Sequence, residues 1–363
     1  MKKILNSKFL FYIPLLLIMF ISFFNMYNAR FLSTLYSKTL IKQVIWYILG
    51  IIILIICRKV NTKFIFKYGI FIYTLSIVLL IYVLLFGKVI NGARAWITIK
   101  GLSFSPSELT KLSLAIMLSN ILNNYKKSGI KGEILFISKV LILSLIPSIL
   151  VFLEPDTGAI LFYLVIAFTT ILLGNIHKFW YILAIIVSTS LIGIFIALYL
   201  FNRDLLINLL GTSIFYRVER LALFKTMNSY HLDNALIGIG SASAFINGFG
   251  SIRIYIPEAP TDFIFAFAIT NFGYITGYLI LLCYFCMDIY LINRFSHLKK
   301  GPLKYLLASF ISIFILSQII NIGMNLGLLP IVGIPLPFLS YGGSTLIIYF
   351  LFLGMIFSSK EKY

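Results

Sequence analysis

Ten stretches of this chain are long and apolar enough to cross a hydrocarbon layer, and that repetition constrains its fold more than any other feature. A helix needs about 20 mostly apolar residues to traverse a ~30 Å bilayer core. The runs fall at 9–28, 41–58, 66–87, 107–124, 136–153, 157–174, 178–200, 262–290, 304–327 and 341–359. A water-soluble fold of this length has no use for so much apolar surface. The chain is 61% hydrophobic and 11% charged, with a mean hydropathy of +1.03. The expected fold class is therefore all-α, a polytopic membrane protein of about ten spans forming a single integral domain over 1–363. The first run follows Met1-Lys2-Lys3 and has the look of a signal peptide. It is too long for a signal core and no small-x-small cleavage site follows, so it reads as an uncleaved span.

Lysine and arginine set the orientation, because cytoplasmic loops retain an excess of both. With the N-terminus inside, the inner segments hold 18 of these residues and the outer segments 11, with Lys111 left inside the fourth span. Both termini are therefore expected in the cytoplasm. The acids run the other way. Glu108, Glu154, Asp156, Asp204, Glu219, Asp233, Glu258 and Asp262 fall at or near the outer face, and only Glu133, Asp288 and Glu361 on the inner side. Polar chemistry is thus expected to face outward. The net charge of +19 needs no nucleic acid as partner, since inner-loop cations beside anionic membrane lipids account for most of it.

Between spans seven and eight lies a segment at 201–261, too long for a simple connector. Aromatic and aliphatic residues run through it, which is not the composition of disorder. Short amphipathic helices packed on the outer membrane surface are expected. Glycines 238, 240, 248 and 250 make no nucleotide fingerprint, because no strand–helix unit surrounds them. Cys283 and Cys286 share a helix face without an accompanying ligand set, so no protein metal site is expected.

Several polar groups sit where an apolar chain can least accommodate them. Asp262 opens the eighth span within Pro257-Glu258-Ala259-Pro260-Thr261-Asp262-Phe263, and an intramembrane acid is a functional candidate by default. Ser105-Pro106-Ser107-Glu108 opens span four with the pattern of a capping box. Lys111, one turn deeper, needs either Glu108 as partner or a wet cavity. Arg94 beside Trp96 suits anionic oxygens, although the tryptophan also reads as an interfacial anchor. Glu154-Pro155-Asp156-Thr157-Gly158 is a tight acidic turn. Finally, Pro330, Pro335 and Pro337 forbid a regular helix in a run that stays apolar. Such backbone is tolerated at membrane depth only inside protein or against a cavity. A broken or re-entrant element closing the outer cavity is expected there.

Taken in order, these segments resemble the SEDS family (shape, elongation, division and sporulation; RodA/FtsW-like). The resemblance rests on Gly92-Ala93-Arg94 with Trp96, Pro106-Ser107-Glu108 with Lys111, Glu154-Pro155-Asp156 with Gly158, Ile239-Gly240-Ser241, and Pro257-Glu258 with Thr261-Asp262-Phe263. The most specific stretch runs from Asn321-Ile322-Gly323 through Gly327-Leu328-Leu329-Pro330 and Gly333-Ile334-Pro335-Leu336-Pro337-Phe338-Leu339-Ser340 to Tyr341-Gly342-Gly343-Ser344. The resemblance implies a peptidoglycan glycosyltransferase that polymerises lipid II on the outer face of the membrane, with a class B penicillin-binding protein as partner. It places the family's essential aspartate on Asp262, its outer-loop tryptophan on Trp96, its charged pair on Glu108 and Lys111, and its acidic turn on Asp156. Asp262 is the expected catalytic base. Arg94, Lys111 and Arg217 are candidates to meet the leaving pyrophosphate, with Mg²⁺ as a candidate helper. Ser340 completes the expected substrate-binding set. The chain departs from the family pattern at Thr270-Asn271, where a paired acid is common, at Pro260, and at Ala242-Ser243-Ala244, which lacks a glycine pair. A silent scaffold for a penicillin-binding protein and a lipid II flippase stay open as alternatives.

Overall fold

A computed structural model describes residues 8–90, 93–99, 102–212, 215, 219, 229–245 and 254–358. Ten helices occupy the ten expected spans: α1 (Phe9–Ala29), α2 (Thr39–Lys59), α4 (Gly69–Phe86), α5 (Pro106–Asn124), α6 (Gly129–Leu153), α7 (Thr157–Leu173), α8 (Lys178–Phe201), α11 (Ile264–His297), α12 (Pro302–Asn325) and α13 (Gly343–Ile356). Among the described residues three shorter α-helices join them: α3 (Thr62–Lys67), α9 (Arg203–Leu210) and α10 (Tyr230–Gly240), with a single 3-10 turn at Thr34–Tyr36. Seven of the ten are long and apolar enough to cross a membrane by length and composition, while α7 and α13 are shorter but apolar. Helix α5 is the polar exception. It buries Ser107, Thr110, Lys111, Ser113 and Ser119, which keeps it inside the bundle, where neighbouring helices can satisfy those groups.

Close helix contacts in lipid depend on small residues, because tails and side chains are equally apolar. Helices α2 and α13 use glycines in this way. A methyl group added to Gly50 would collide with the Phe350 ring, and one added to Gly343 would collide with Trp46. At the far end Gly354 lies against Cys57 and Leu54. Helix α8 is the opposite case, since none of its described side chains is buried.

A small sheet was not anticipated. Strands β1 (Lys88–Ile90), β2 (Ala93–Ile99) and β3 (Leu102–Phe104) form an antiparallel meander between α4 and α5. Ala93-Arg94-Ala95-Trp96-Ile97-Thr98-Ile99 alternates and ends in β-branched residues, which favour an extended, half-buried strand. The sheet leaves the fold otherwise all-helical.

Backbone between α12 and α13 is non-helical, as the prolines required. It is buried rather than lipid-facing: Leu336, Phe338 and Leu339 are all at most 2% exposed. Side chains from four helices take up its carbonyls. Ser22 Oγ donates to Leu339 O at 2.7 Å, Tyr284 OH to Pro337 O at 2.6 Å, and Asn321 Nδ2 to Ile334 O at 2.8 Å. Tyr47 OH donates to Phe338 O. Broken backbone at this depth persists because protein groups replace the missing helical bonds.

Helix α11 is interrupted at Gly273, whose φ of 82° only glycine adopts readily. The break frees Tyr274 N and Ile275 N to donate to Ser243 O and Ala244 O at 3.0 and 3.3 Å. The segment that departs from the family pattern at Ala242-Ser243-Ala244 is therefore fixed by its backbone. Of the expected outer-surface segment, α9 and α10 are described. Leu232, Ala235 and Gly238 are the buried residues of α10, and Gly238 meets Thr270 of α11.

Candidate active site

A cavity of about 540 Å³ opens at the end of the bundle where α5, α7, α11 and α13 begin. Trp96, Glu108, Lys111, Asp156 and Asp262 all line it, so five of the eight residues expected from sequence converge. Positions from 96 to 262 meet there because Pro106, Asp156 and the 257–263 turn each start a helix at the same membrane face.

Asp262 lies in the turn just ahead of α11, which begins at Ile264; the expected span start at 262 was two residues early. Two buried asparagines one helical turn apart hold that turn. Asn321 Nδ2 and Asn325 Nδ2 both donate to Asp262 O at 2.9 Å, and Asn325 Oδ1 accepts from Ala266 N at 3.0 Å. The last bond satisfies one of the orphan N–H groups of the first turn of α11. On the other side, the turn folds around Glu258. Thr261 N and Phe263 N donate to Glu258 O, and Thr261 Oγ1 donates to Glu258 Oε2 at 3.0 Å. These bonds hold Glu258 at φ 50°, a left-handed conformation that a non-glycine residue reaches only at a cost. Protein surrounds the Asp262 carboxyl on all but its cavity side. Burial, with the Glu258 charge adding, pushes it up to about 7. Gly333 faces it, since a methyl added there would lie 3.6 Å from Asp262 Oδ2.

Across the cavity, Lys111 is 3% exposed. Its Nζ lies 2.7 Å from Glu108 Oε1 and 3.9 Å from the centre of the Phe162 ring. The expected capping box is not formed. Pro106 does occupy the first turn, but Ser105 makes no side-chain cap. Its Oγ pairs with Ser107 Oγ at 2.8 Å, and Glu108 turns to the lysine instead. A buried ammonium is the stronger claim on that carboxylate. Ser107 Oγ also donates to Asp156 Oδ2 at 3.1 Å, while Asp156 Oδ1 caps α7 by accepting from Ala159 N at 3.3 Å. Glu154, two residues away, is fully buried, and among the described residues neither of its oxygens finds a hydrogen-bond partner. Burial, then the nearby Asp156 charge, pushes its carboxyl up to about 8, so it is mostly uncharged at neutral pH.

The remaining expected residues lie elsewhere. Arg94 is exposed on β2 and does not line the cavity. Ser340 is structural: its Oγ donates to Thr261 O at 2.7 Å and accepts from Leu336 N at 2.9 Å, which ties the broken segment to the Asp262 turn. Arg217 lies outside the described residues. Thr270 and Asn271 return their side chains to Ala266 O and Phe267 O, both at 2.8 Å, and neither lines the cavity. Among the described residues no three His, Cys, Asp or Glu side chains converge as metal ligands.

A multi-span helical membrane protein with a carboxylate- and lysine-lined cavity at one membrane face is the class that fold and site define. The sequence profile of the FtsW, RodA and SpoVE family, described as cell cycle proteins, matches residues 6–362. The chain belongs to this family, the SEDS proteins. It is 31% identical to a "Probable peptidoglycan glycosyltransferase FtsW" of Buchnera aphidicola subsp. Schizaphis graminum over 85% of this chain and 86% of that one. It is 27% identical to the peptidoglycan glycosyltransferase MrdB of Escherichia coli K12 over 85% and 82%. In fold it resembles RodA of Thermus thermophilus with a TM-score of 0.65 at 23% identity, covering 94% of each chain. A chain from a peptidoglycan synthase complex coordinating polymerization and crosslinking superposes with a TM-score of 0.73 at 23% identity, over 95% and 96%.

The sequence did not single out Asn321 and Asn325 as site residues. Their signal was present, because two asparagines at i and i+4 in an apolar helix make one polar stripe that needs a buried partner.

Proposed function

We propose that this chain is a peptidoglycan glycosyltransferase that joins lipid II units into glycan strands. The observation that carries it is the meeting of Asp262 with the Glu108–Lys111 pair in one cavity. An acceptor sugar hydroxyl attacks the anomeric carbon of the donor. The new C–O bond forms as the bond from that carbon to the lipid pyrophosphate breaks. Asp262 takes the hydroxyl proton, and a carboxyl held near 7 suits a base working near neutral pH. The leaving pyrophosphate gains charge as it departs, and Lys111 supplies the opposing charge from a site already walled off from bulk water. Glu108 holds the ammonium in place before substrate arrives. Trp96 offers an aromatic wall at the rim.

The cavity face is the outer one, the termini are cytoplasmic, and the membrane is the bacterial inner membrane; the lysine and arginine distribution supports this orientation. The partner is a class B penicillin-binding protein that cross-links the product. A relative of like fold that comes from a polymerising and crosslinking synthase complex supports that pairing. The test is synthesis of glycan strands from labelled lipid II by the purified chain with its cognate penicillin-binding protein. Strands made only when this chain is present support the activity. A folded complex that makes none, yet still recruits its partner, would replace the enzyme with a scaffold.

A further inference from the structure

The end of α5 remote from Asp262 carries a second cavity, of about 430 Å³. Its walls are residues of α3, the start of α4, the last turns of α5 and the first turns of α6. Lys111 lines the first cavity and Asn124 the second. The helix between them rises by about 20 Å, so the two cavities serve opposite faces of the membrane.

Lys67, Lys126 and Lys139 line this second cavity, and none of the described residues in its wall is acidic. The nearest acid along α6, Glu133, is already committed. It accepts from His177 N at 3.1 Å and Trp180 Nε1 at 2.8 Å, with Lys127 Nζ at 3.9 Å. Nor does α6 bring an acid in its own first turn, so the positive end of its dipole adds to the field. All three lysines are exposed, so water screens their mutual repulsion, and an anion in the hollow would be met by three ammonium donors. The rest of the wall mixes apolar side chains, Phe136 and Met117 among them, with the polar Asn120, Asn124, Tyr125 and Ser128. At the rim, Ile70 and Leu135 are 62% and 57% exposed. A free phosphate would satisfy the lysines and leave this rim bare. A headgroup phosphate with acyl chains attached would satisfy both.

We propose that this cavity binds the headgroup of an anionic phospholipid, with its chains lying along Ile70 and Leu135. It is a site separate from the carboxylate cavity and independent of the reaction assigned there.

Native mass spectrometry tests it, using protein exchanged into micelles that contain phosphatidylglycerol or phosphatidylcholine. The wild type should retain phosphatidylglycerol through delipidation, and phosphatidylcholine should wash away. The triple variant Lys67→Gln, Lys126→Gln, Lys139→Gln should lose phosphatidylglycerol affinity at least tenfold. A control triple, Lys59→Gln, Lys299→Gln, Lys300→Gln, changes exposed lysines that line neither cavity and should bind like wild type. Lys126→Gln alone changes one exposed connector residue and should give a partial loss, even if the triple variant fails to fold. Unchanged retention in the cavity variants would overturn the proposal, as would equal loss in both triples. Thermal stabilisation by inorganic phosphate equal to that by phosphatidylglycerol would replace the lipid site with a free-anion site.

Discussion

Removing Glu108 alone should harm this protein more than removing Glu108 and Lys111 together. The two side chains are 13% and 4% exposed, with 2.7 Å between charged atoms. Glu108→Gln leaves the ammonium buried without its counter-charge, with only a neutral amide oxygen and the Phe162 ring, 3.9 Å away, beside it. Stripping one partner from a buried pair costs about 3–5 kcal/mol, because the remaining charge stays desolvated. Adding Lys111→Met removes that charge and keeps the volume of the lysine stem, so most of the loss should return. The coupling between the two changes should reach about 2 kcal/mol. Thermal unfolding of the four purified proteins in one detergent reads this directly: Glu108→Gln drops the midpoint by several degrees, and the double variant recovers most of the drop. Glycan synthesis should not recover, because Lys111 faces the leaving pyrophosphate. Strictly additive midpoints would refute the buried pair, and a double variant that polymerises lipid II would refute the role of Lys111.

Asp262 must be ionised to accept a proton, and its carboxyl lies near 7; kcat/KM should therefore rise about tenfold per pH unit below 7 and level off above it. A limb near the ordinary carboxylate value would contradict this placement. Asn325→Ala removes bonds to Asp262 O at 2.9 Å, to Asn321 O at 2.8 Å and from Ala266 N at 3.0 Å. At about 1 kcal/mol each, the loss is about 3 kcal/mol. Because the turn that carries Asp262 loosens, kcat should fall about 100-fold with a smaller change in KM, measured by strand synthesis at saturating and limiting lipid II. Glu154→Gln should keep near-normal activity, since the native carboxyl is already mostly uncharged at neutral pH. A carboxyl raised to about 8 holds its proton when folded and releases it on unfolding above its ordinary value. Wild type should therefore lose stability relative to Glu154→Gln as pH rises from 5 to 8, as read by unfolding midpoints.

The ten spans were legible because length and hydropathy are local properties, although the helices at Gly129–Leu153 and Ile264–His297 each run a further two turns beyond the apolar run at one end. The proline-rich break before α13 was legible for the same reason, since three fixed φ angles cannot continue a helix. Asp262, Glu108 and Lys111 stood out as charges in apolar surroundings. The choice Glu108 makes between capping α5 and pairing with Lys111 was not legible, because both partners lie within one turn and only burial of the lysine decides. Asn321 and Asn325 showed in the sequence as a polar stripe, but what that stripe holds was hidden for a different reason. Their partners are backbone groups of the Asp262 turn, 59 and 63 residues away in sequence, and no local pattern reports a contact of that range. The meander at 88–104 was not anticipated because its two outer strands are only 3 residues each, too short to show an alternating pattern. Ser340 looked functional by its motif, yet both sides of its hydroxyl are used by the backbone it ties together.

The most direct measurement compares strand synthesis from labelled lipid II by wild type and Asp262→Asn, each with the same penicillin-binding partner and each shown to unfold at a similar midpoint. Asparagine keeps the shape of the side chain and leaves the Asp262 backbone bonds in place, but it cannot take up a proton. Strands from wild type and none above background from the variant is the predicted result. Strand synthesis by Asp262→Asn within about tenfold of wild type would contradict a general base at this position.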